Sequence, residues 1–179
     1  MSRLDPLLEF LDEARAGDAS AARVRERWLR RQAEDGATLA GTLLDLAERG
    51  APVSVRTTTG RTSHGAIAAV GTDFVVLQSE EGRDTCLRLQ AVAAVRPAVG
   101  ERHAVATGDR LAPLDLLLVE VLAGLAPDRP RLVVLAGGDL VAGELRAVGV
   151  DVVTLRLDGD RPSLCYIAAG AMDEVVVDW

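Results

Sequence analysis

The sequence predicts an α+β chain that is mainly β: two tandem five-stranded barrels, each preceded by a helix, and an N-terminal helical hairpin. Three observations lead to this fold class. A stretch that begins at Gly65 returns at Gly143, each of these glycines interrupts a strand pattern, and short apolar runs separated by turns surround both copies. The predicted domains are a helical segment (1–36), a barrel with its entry helix (37–98), and a connecting loop, helix and second barrel (99–179).

The two copies are related by a constant offset. Residues 65–77 and 143–155 lie 78 positions apart (143 − 65) and are identical at 7 of 13 positions. A fixed-period repeat of this kind indicates one structural unit used two times. Glycine inside a strand marks a sharp bend or a close approach of two backbones. We therefore expect the bent strands at Gly65 and Gly143 to let each copy curl into a closed barrel.

Each copy carries the same turn signal after its glycine-bearing strand. In the Val-Gly-x-Asp segments, we expect Gly71 and Gly149 to adopt positive φ and the aspartates Asp73 and Asp151 to form the turns. Five strands per copy, with turns every 8–12 residues or so, fit a small barrel. The predicted strands lie near residues 53–59, 66–70, 74–77, 84–90, 92–96, 131–135, 143–148, 152–155, 164–167 and 174–177.

The first 36 residues read as two helices separated by Gly17 and Asp18. Acidic side chains follow one face of the first helix, and arginines follow one face of the second. We expect these faces to meet in a hairpin, although the arginine stripe could instead bind a nucleic acid or an acidic partner. The stripe comprises Arg23, Arg27, Arg30 and Arg31.

Two further helices are predicted, one before each barrel. The first runs from about Thr38 to Arg49 and ends at Gly50. The second begins at Pro113, continues to about residue 125, and is apolar over most of its surface. A helix of that kind must be covered on more than one side. We therefore expect it to contact the second barrel and also the first barrel or another subunit, with the candidate interface residues Leu116, Val119 and Leu122.

The pattern Gly60-x4-Gly65-x-Ile67-x2-Val70-Gly71-x2-Phe74-x-Val76 resembles the first sequence motif of the Sm-like (LSm/Hfq-type) proteins. The resemblance covers about residues 37–97 and, more weakly, 113–178. It implies an N-terminal helix followed by five bent antiparallel strands. A generic SH3-like barrel is the alternative fold.

The positions that hold the Sm-like family's RNA-binding residues carry other residues here, including Gly71, Phe74 and Val75. The resemblance therefore implies the barrel and leaves RNA binding as an alternative function only. In that alternative, Arg61, His64 and Arg88 bind RNA at one barrel rim. The net charge of −7 disfavours it, because polyanion-binding domains are basic.

The sequence shows no catalytic or cofactor motif. Ser63 and His64 are merely adjacent, and the two cysteines, Cys86 and Cys165, are isolated and expected to be small buried hydrophobes. We expect no enzyme activity, no cofactor and no metal. The favoured function is a non-catalytic protein-interaction or self-assembly module, with a protein partner or a homo-oligomer.

No membrane contact is expected. The longest apolar run, 111–126, is interrupted by Pro113, Asp115 and Glu120 and is too short to cross a bilayer. The first residues lack the apolar core of a signal peptide. The expected location is therefore the cytoplasm.

Overall fold

A computed structural model describes residues 5–79, 83–100, 114–159 and 163–178. These residues form three α-helices and ten strands. The helices are α1 (Asp5–Asp35), α2 (Leu39–Glu48) and α3 (Leu118–Leu125). The strands are β1 (Pro52–Thr57), β2 (Thr62–Val70), β3 (Phe74–Gln78), β4 (Asp84–Arg88), β5 (Val92–Pro97), β6 (Arg131–Ala136), β7 (Asp139–Val148), β8 (Val152–Leu157), β9 (Leu164–Ala168) and β10 (Met172–Asp178).

The prediction of two closed five-stranded barrels is wrong, because the ten strands form one open antiparallel sheet in the order β5-β1-β2-β3-β4-β10-β6-β7-β8-β9. We call β1–β5 the N-terminal half-sheet and β6–β10 the C-terminal half-sheet. Closing a barrel would require β4 to pair with β5 of its own half-sheet. Strand β4 pairs instead with β10, so the hydrogen-bonding groups needed for closure join the two half-sheets.

The glycines inside the strands lie where two backbones approach closely, which is one of the two alternatives that the sequence left open. A Cβ atom added at Gly65 would lie 2.4 Å from the carbonyl oxygen of Gln78, and one at Gly143 would lie 2.3 Å from that of Arg156. The pairing register shifts shortly after each glycine, between Ile67 and Ala69 in β2 and between Leu145 and Ala147 in β7. A register shift of this kind bends a strand and increases its twist.

The expected positive φ of Gly71 and Gly149 is wrong, since neither is among the positive-φ glycines of the described chain. Position 71 requires glycine because there is no room for a side chain. A Cβ atom there would lie 2.1 Å from Cε1 of Phe74, whose ring is buried. The aromatic ring three residues later therefore occupies the volume that a side chain would take.

Helix α1 is a single continuous helix, so the predicted N-terminal hairpin is wrong. It passes through Gly17 and Asp18, whose low helix propensity costs about 1 kcal/mol or less per residue and does not end a long helix by itself. The two predicted helices are therefore one continuous helix, with no turn between them. Within the arginine stripe, Arg30 pairs with Glu26 one turn earlier at 3.7 Å.

Helix α2 forms where it was predicted. The Thr38 hydroxyl accepts a hydrogen bond from the amide of Gly41 at 3.0 Å and thereby satisfies one of the free amides of the first turn. Gly50, with a φ of 60°, follows the helix. Leu43, Leu44 and Leu46 are buried in one hydrophobic cluster with side chains of the N-terminal half-sheet.

Helix α3 begins at Leu118, and the prediction that it begins at Pro113 is wrong. Pro113 itself lies outside the described residues. Leu114 instead forms a parallel bridge with Gly71, and the amide of Thr72 donates to the carbonyl oxygen of Leu116 at 3.0 Å. Because these contacts hold the preceding residues extended, the helix starts only after them.

A second hydrophobic cluster lies beneath α3. Leu118 and Leu122 are fully buried in it among side chains of the C-terminal half-sheet. Phe74 and Cys86 of the N-terminal half-sheet belong to the same cluster. The two half-sheets therefore share a core as well as a backbone ladder.

Candidate functional site

Strand β9 is one of the two end strands of the sheet, and no described residue pairs with it on its outer side. On the inner side, the amide of Leu157 donates to the carbonyl oxygen of Ser163 at 2.8 Å, and the amide of Ala169 donates to that of Asp151 at 2.7 Å. Backbone groups of successive residues in an antiparallel strand point alternately to the two sides. The amides and carbonyls of Leu164, Tyr166 and Ala168 therefore point away from the sheet.

Within the described part of the chain, no charged residue, proline or bulge protects edge β9 from pairing. Natural edge strands carry charged residues, proline or bulges that block another strand. Strand β9 reads Leu-Cys-Tyr-Ile-Ala, with no charge and no proline. Tyr166 is 69% exposed and Leu164 is 54% exposed. This edge is therefore both apolar and free to form backbone hydrogen bonds.

The opposite edge, β5, is protected. The amide of Ala98 donates to the carbonyl oxygen of Pro52 at 2.9 Å, so the backbone groups of Val95 and Pro97 point outward. Proline has no N–H, so Pro97 removes one outward donor. Arg96 adds a charge to the same strand. Strand pairing is thus hindered at β5 and unhindered at β9.

The junction between β4 and β10 shows what such an edge looks like when it is paired. Val175 lies opposite Cys86, and Val177 lies opposite Asp84. Strand β4 holds the same place in its half-sheet as β9 does in the other. Cys86 is only 4% exposed, whereas Tyr166, which holds the corresponding place in β9, is largely exposed. Strand β10 and the cluster beneath α3 cover Cys86, whereas no described strand lies beside Tyr166.

Polar contacts reinforce the junction on either side of the ladder. Nε of Arg61 lies 3.2 Å from Oε2 of Glu174, a carboxylate that is almost completely buried. Arg88 pairs through Nη1 with Oδ2 of Asp73, and its Nη2 donates to the carbonyl oxygen of Ala169 at 2.7 Å. We call these five residues the junction clamp.

Asp73 connects the junction clamp to helix α3. Its Oδ1 accepts a hydrogen bond from the amide of Leu118, the first residue of that helix, at 2.8 Å. A carboxylate at a helix N-terminus stabilises the free amides and the positive end of the helix dipole. One side chain, predicted only as a turn former, therefore holds Arg88 and helix α3 at the same time.

The residues predicted for RNA binding are placed in two different settings. Arg61 pairs with Glu174 of β10, and Arg88 pairs with Asp73 and also donates to the carbonyl oxygen of Ala169 between β9 and β10. His64 is exposed on β2 and lies opposite Ser54. The other histidine, His103, lies outside the described residues. Because the two arginines are already neutralised by Glu174 and Asp73, they contribute little free positive charge for a polyanion.

The residues predicted for an interface differ in exposure. Leu116 is 43% exposed, Val119 is partly buried, and Leu122 is fully buried in the shared core. As placed, the Leu122 side chain offers no surface to a second molecule. Edge β9 was missed by sequence reasoning, which recognised its strand but had no information on its neighbours. The absence of charge in five consecutive strand residues is the signal that could have found it.

The cysteines differ in environment. Burial, with a smaller contribution from Asp84, raises the pKa of the Cys86 thiol to about 12. Cys165 is a free, partly buried thiol on β9. Among the described residues, no group of three or more His, Cys, Asp and Glu side chains is arranged to hold a metal ion.

A depression of about 510 Å³ lies at the ends of β6, β7 and β8 and is lined by charged residues. Its lining includes the arginines Arg129, Arg131 and Arg156 and the carboxylates of Glu144 and Asp158. Arg131 lies 2.7 Å from Asp158, and Arg156 lies 2.6 Å from Glu144. A hydrogen bond from Arg146 lowers the pKa of Glu144. Two of the three lining arginines, Arg131 and Arg156, therefore have carboxylate partners within the depression.

The chain matches no protein-family model, no curated protein and no solved structure. The resemblance to Sm-like proteins therefore stays a prediction. Within the part of the chain that the structure describes, no helix is both long enough and apolar enough to cross a membrane.

Proposed function

We propose that this protein is a non-catalytic interaction module that assembles with other copies of itself through edge β9. The proposal keeps the sequence-based expectation of a homo-oligomer and moves its interface from helix α3 to the sheet edge. The observation that carries it is the exposed, uncharged β9 with outward backbone groups at Leu164, Tyr166 and Ala168. Strand addition to such an edge supplies affinity through main-chain hydrogen bonds and apolar contact.

A lysine on the edge is expected to prevent this assembly. In sedimentation velocity, the wild-type chain of 18.9 kDa should show a mass that rises with concentration. Tyr166→Lys places a charge at the centre of β9 and should raise the dissociation constant at least about tenfold, which corresponds to about 1.4 kcal/mol.

Leu140→Lys is the matched control. Leu140 is 56% exposed, and it lies on β7 opposite Leu135 of β6, away from edge β9. This variant should associate like the wild type, because it removes similar apolar surface at a place that the proposed interface does not use. A wild-type chain that stays monomeric at high concentration would remove the proposed function, and so would equal weakening by both substitutions.

A further inference from the structure

We propose that the strand added to edge β9 is β9 of a second copy, antiparallel to the first about a twofold axis through Tyr166. This inference rests on the proposed function and specifies its geometry. In this register, Tyr166 lies opposite Tyr166 of the second copy, and Leu164 lies opposite Ala168. The arrangement uses every residue of the strand in both copies.

The backbone groups of β9 are suited to this register. Leu164, Tyr166 and Ala168 all point their amides and carbonyls outward, and the register places each of them opposite another outward residue. Each such pair exchanges both N–H···O bonds, which gives about six hydrogen bonds across the axis. Shifting the axis to Cys165 or Ile167 would leave some residues of this five-residue strand without a partner.

The side chains of β9 are also compatible with self-pairing. The chain carries a net charge of −7, yet β9 contains no charged residue, so no like charges meet across the axis. On the exposed face, the two tyrosines form an aromatic cross-strand pair. On the other face, the partly buried Cys165 lies opposite Ile167, which already belongs to the core. Pairing therefore extends the existing core and covers exposed apolar surface.

The alternative, in which β9 pairs with β5 of the next copy, would repeat the geometry of the β4–β10 junction but lacks its main contacts. Pro97 stands where Val177 stands in β10 and has no amide to donate. Ala168 stands where Arg88 stands in β4. Ala94 stands where Glu174 stands in β10. An edge without these donors and charges does not reproduce the junction clamp.

Twofold pairing also ends the assembly at a dimer. Both β9 edges are used in the interface, and the edges left at the ends are the two protected β5 strands. An interface that pairs a surface with itself closes, whereas a head-to-tail interface continues into a ring or a filament.

Site-directed disulfide formation tests the register. In a Cys165→Ser background, a chain with Leu164→Cys is mixed with a chain with Ala168→Cys that carries a size tag, and oxidised glutathione is the oxidant. Directly opposite residues have Cα atoms about 5.5 Å apart, within the range that a disulfide spans. The mixture should give a disulfide-linked heterodimer, at least about tenfold more than the linked homodimer from either chain alone. Tyr166 is intact in both chains.

Two further pairs separate the alternatives. Tyr166→Cys in the same background should form a linked homodimer. Tyr166→Cys mixed with Val95→Cys should give no linked heterodimer, and native Cys165 in the wild-type chain should not link to itself. A linked heterodimer through Val95, or a linked wild-type dimer through Cys165, would overturn the register. A dimer in sedimentation without any of the expected links would overturn this inference and leave the proposed function standing, whereas a monomer would overturn both.

Discussion

Gly143→Ala is expected to destabilise the fold by about 3 kcal/mol, at the upper end of the cost of overpacking a core position. The added methyl group would lie 2.3 Å from the carbonyl oxygen and 2.8 Å from the carbonyl carbon of Arg156. Both atoms belong to the backbone of β8, which is hydrogen bonded on both sides and cannot move without disturbing β7 or β9. Urea unfolding monitored by circular dichroism measures the change. Gly65→Ala should behave similarly, because its methyl group would meet the backbone of Gln78 at 2.4 Å.

Gly124→Ala is the control for the general effect of removing a glycine. A Cβ atom at Gly124 meets nothing within 4 Å, and the residue lies inside helix α3. Alanine is favoured over glycine in a helix by about 1 kcal/mol, so this variant should be more stable than the wild type. If Gly143→Ala and Gly65→Ala unfold within about 0.5 kcal/mol of the wild type, the close backbone approach is incorrect.

Asp73→Ala is expected to cost about 3 kcal/mol or more. The substitution removes the carboxylate partner of Arg88, whose side chain is 12% exposed, and the acceptor for the amide of Leu118. Removing one member of a buried ion pair typically costs about 3–5 kcal/mol, because the remaining charge loses its partner. The loss of a helix N-terminal acceptor adds about 1 kcal/mol. Nε of Arg88 is already buried without a hydrogen-bond partner, so the guanidinium has little compensation left.

Two further variants and a double-mutant cycle test which contacts of Asp73 stabilise the fold. Asp73→Asn keeps a side-chain oxygen for the Leu118 amide and should cost less than Asp73→Ala. Asp151→Ala changes the exposed aspartate at the corresponding turn, leaves its backbone bond to Ala169 in place, and should change stability by about 0.5 kcal/mol or less. A double-mutant cycle with Arg88→Met measures the coupling directly. A coupling near zero would show that the contact between Asp73 and Arg88 contributes nothing to the fold.

The sequence predicted the local elements well, because their signals are local. Strands form at all ten predicted places, although β2 begins at Thr62 and β7 at Asp139, earlier than predicted, and helix α2 begins after its Thr38 cap. The sequence also predicted a sharp bend or a close backbone approach at Gly65 and Gly143, because glycine weakens a strand interior and is usually found there for one of these reasons. These features depend on residues within one strand pair or one helix.

The pairing partner of β4 could not be predicted in the same way. Strands β5 and β10 hold the same place in their half-sheets and have similar apolar character. Pro97 makes β5 the poorer partner for β4, but the contacts that stabilise pairing with β10 join residues far apart in sequence, such as Arg61 and Glu174. Asp73 illustrates the same limit, because its turn is local whereas its bonds to Arg88 and Leu118 are not. The unpaired edge at β9 follows from that choice of partner.

Two helix boundaries were predicted wrongly. In one case several small local costs did not suffice to end the helix, and in the other a distant contact determined where the helix begins. Gly17 and Asp18 weaken helix α1 by amounts that a helix of 31 residues tolerates. The residues after Pro113 include good helix formers. Leu114 nevertheless forms a parallel bridge with Gly71, and Leu116 accepts a backbone hydrogen bond from Thr72, so this segment stays extended. A sequence pattern shows which secondary structure a segment prefers. It does not show the contacts with distant residues that can override this preference.

Hydrogen exchange at two corresponding amides tests the central claim most directly, namely that one open sheet buries the edge of β4 and leaves the edge of β9 for a second copy. The amide of Cys86 points toward β10, and the amide of Tyr166 points away from the sheet. The Cys86 amide should be protected at every protein concentration, whereas the Tyr166 amide should exchange rapidly in dilute solution and become protected as concentration rises. Rapid exchange at Cys86, or a Tyr166 amide whose exchange does not depend on concentration, would contradict the account.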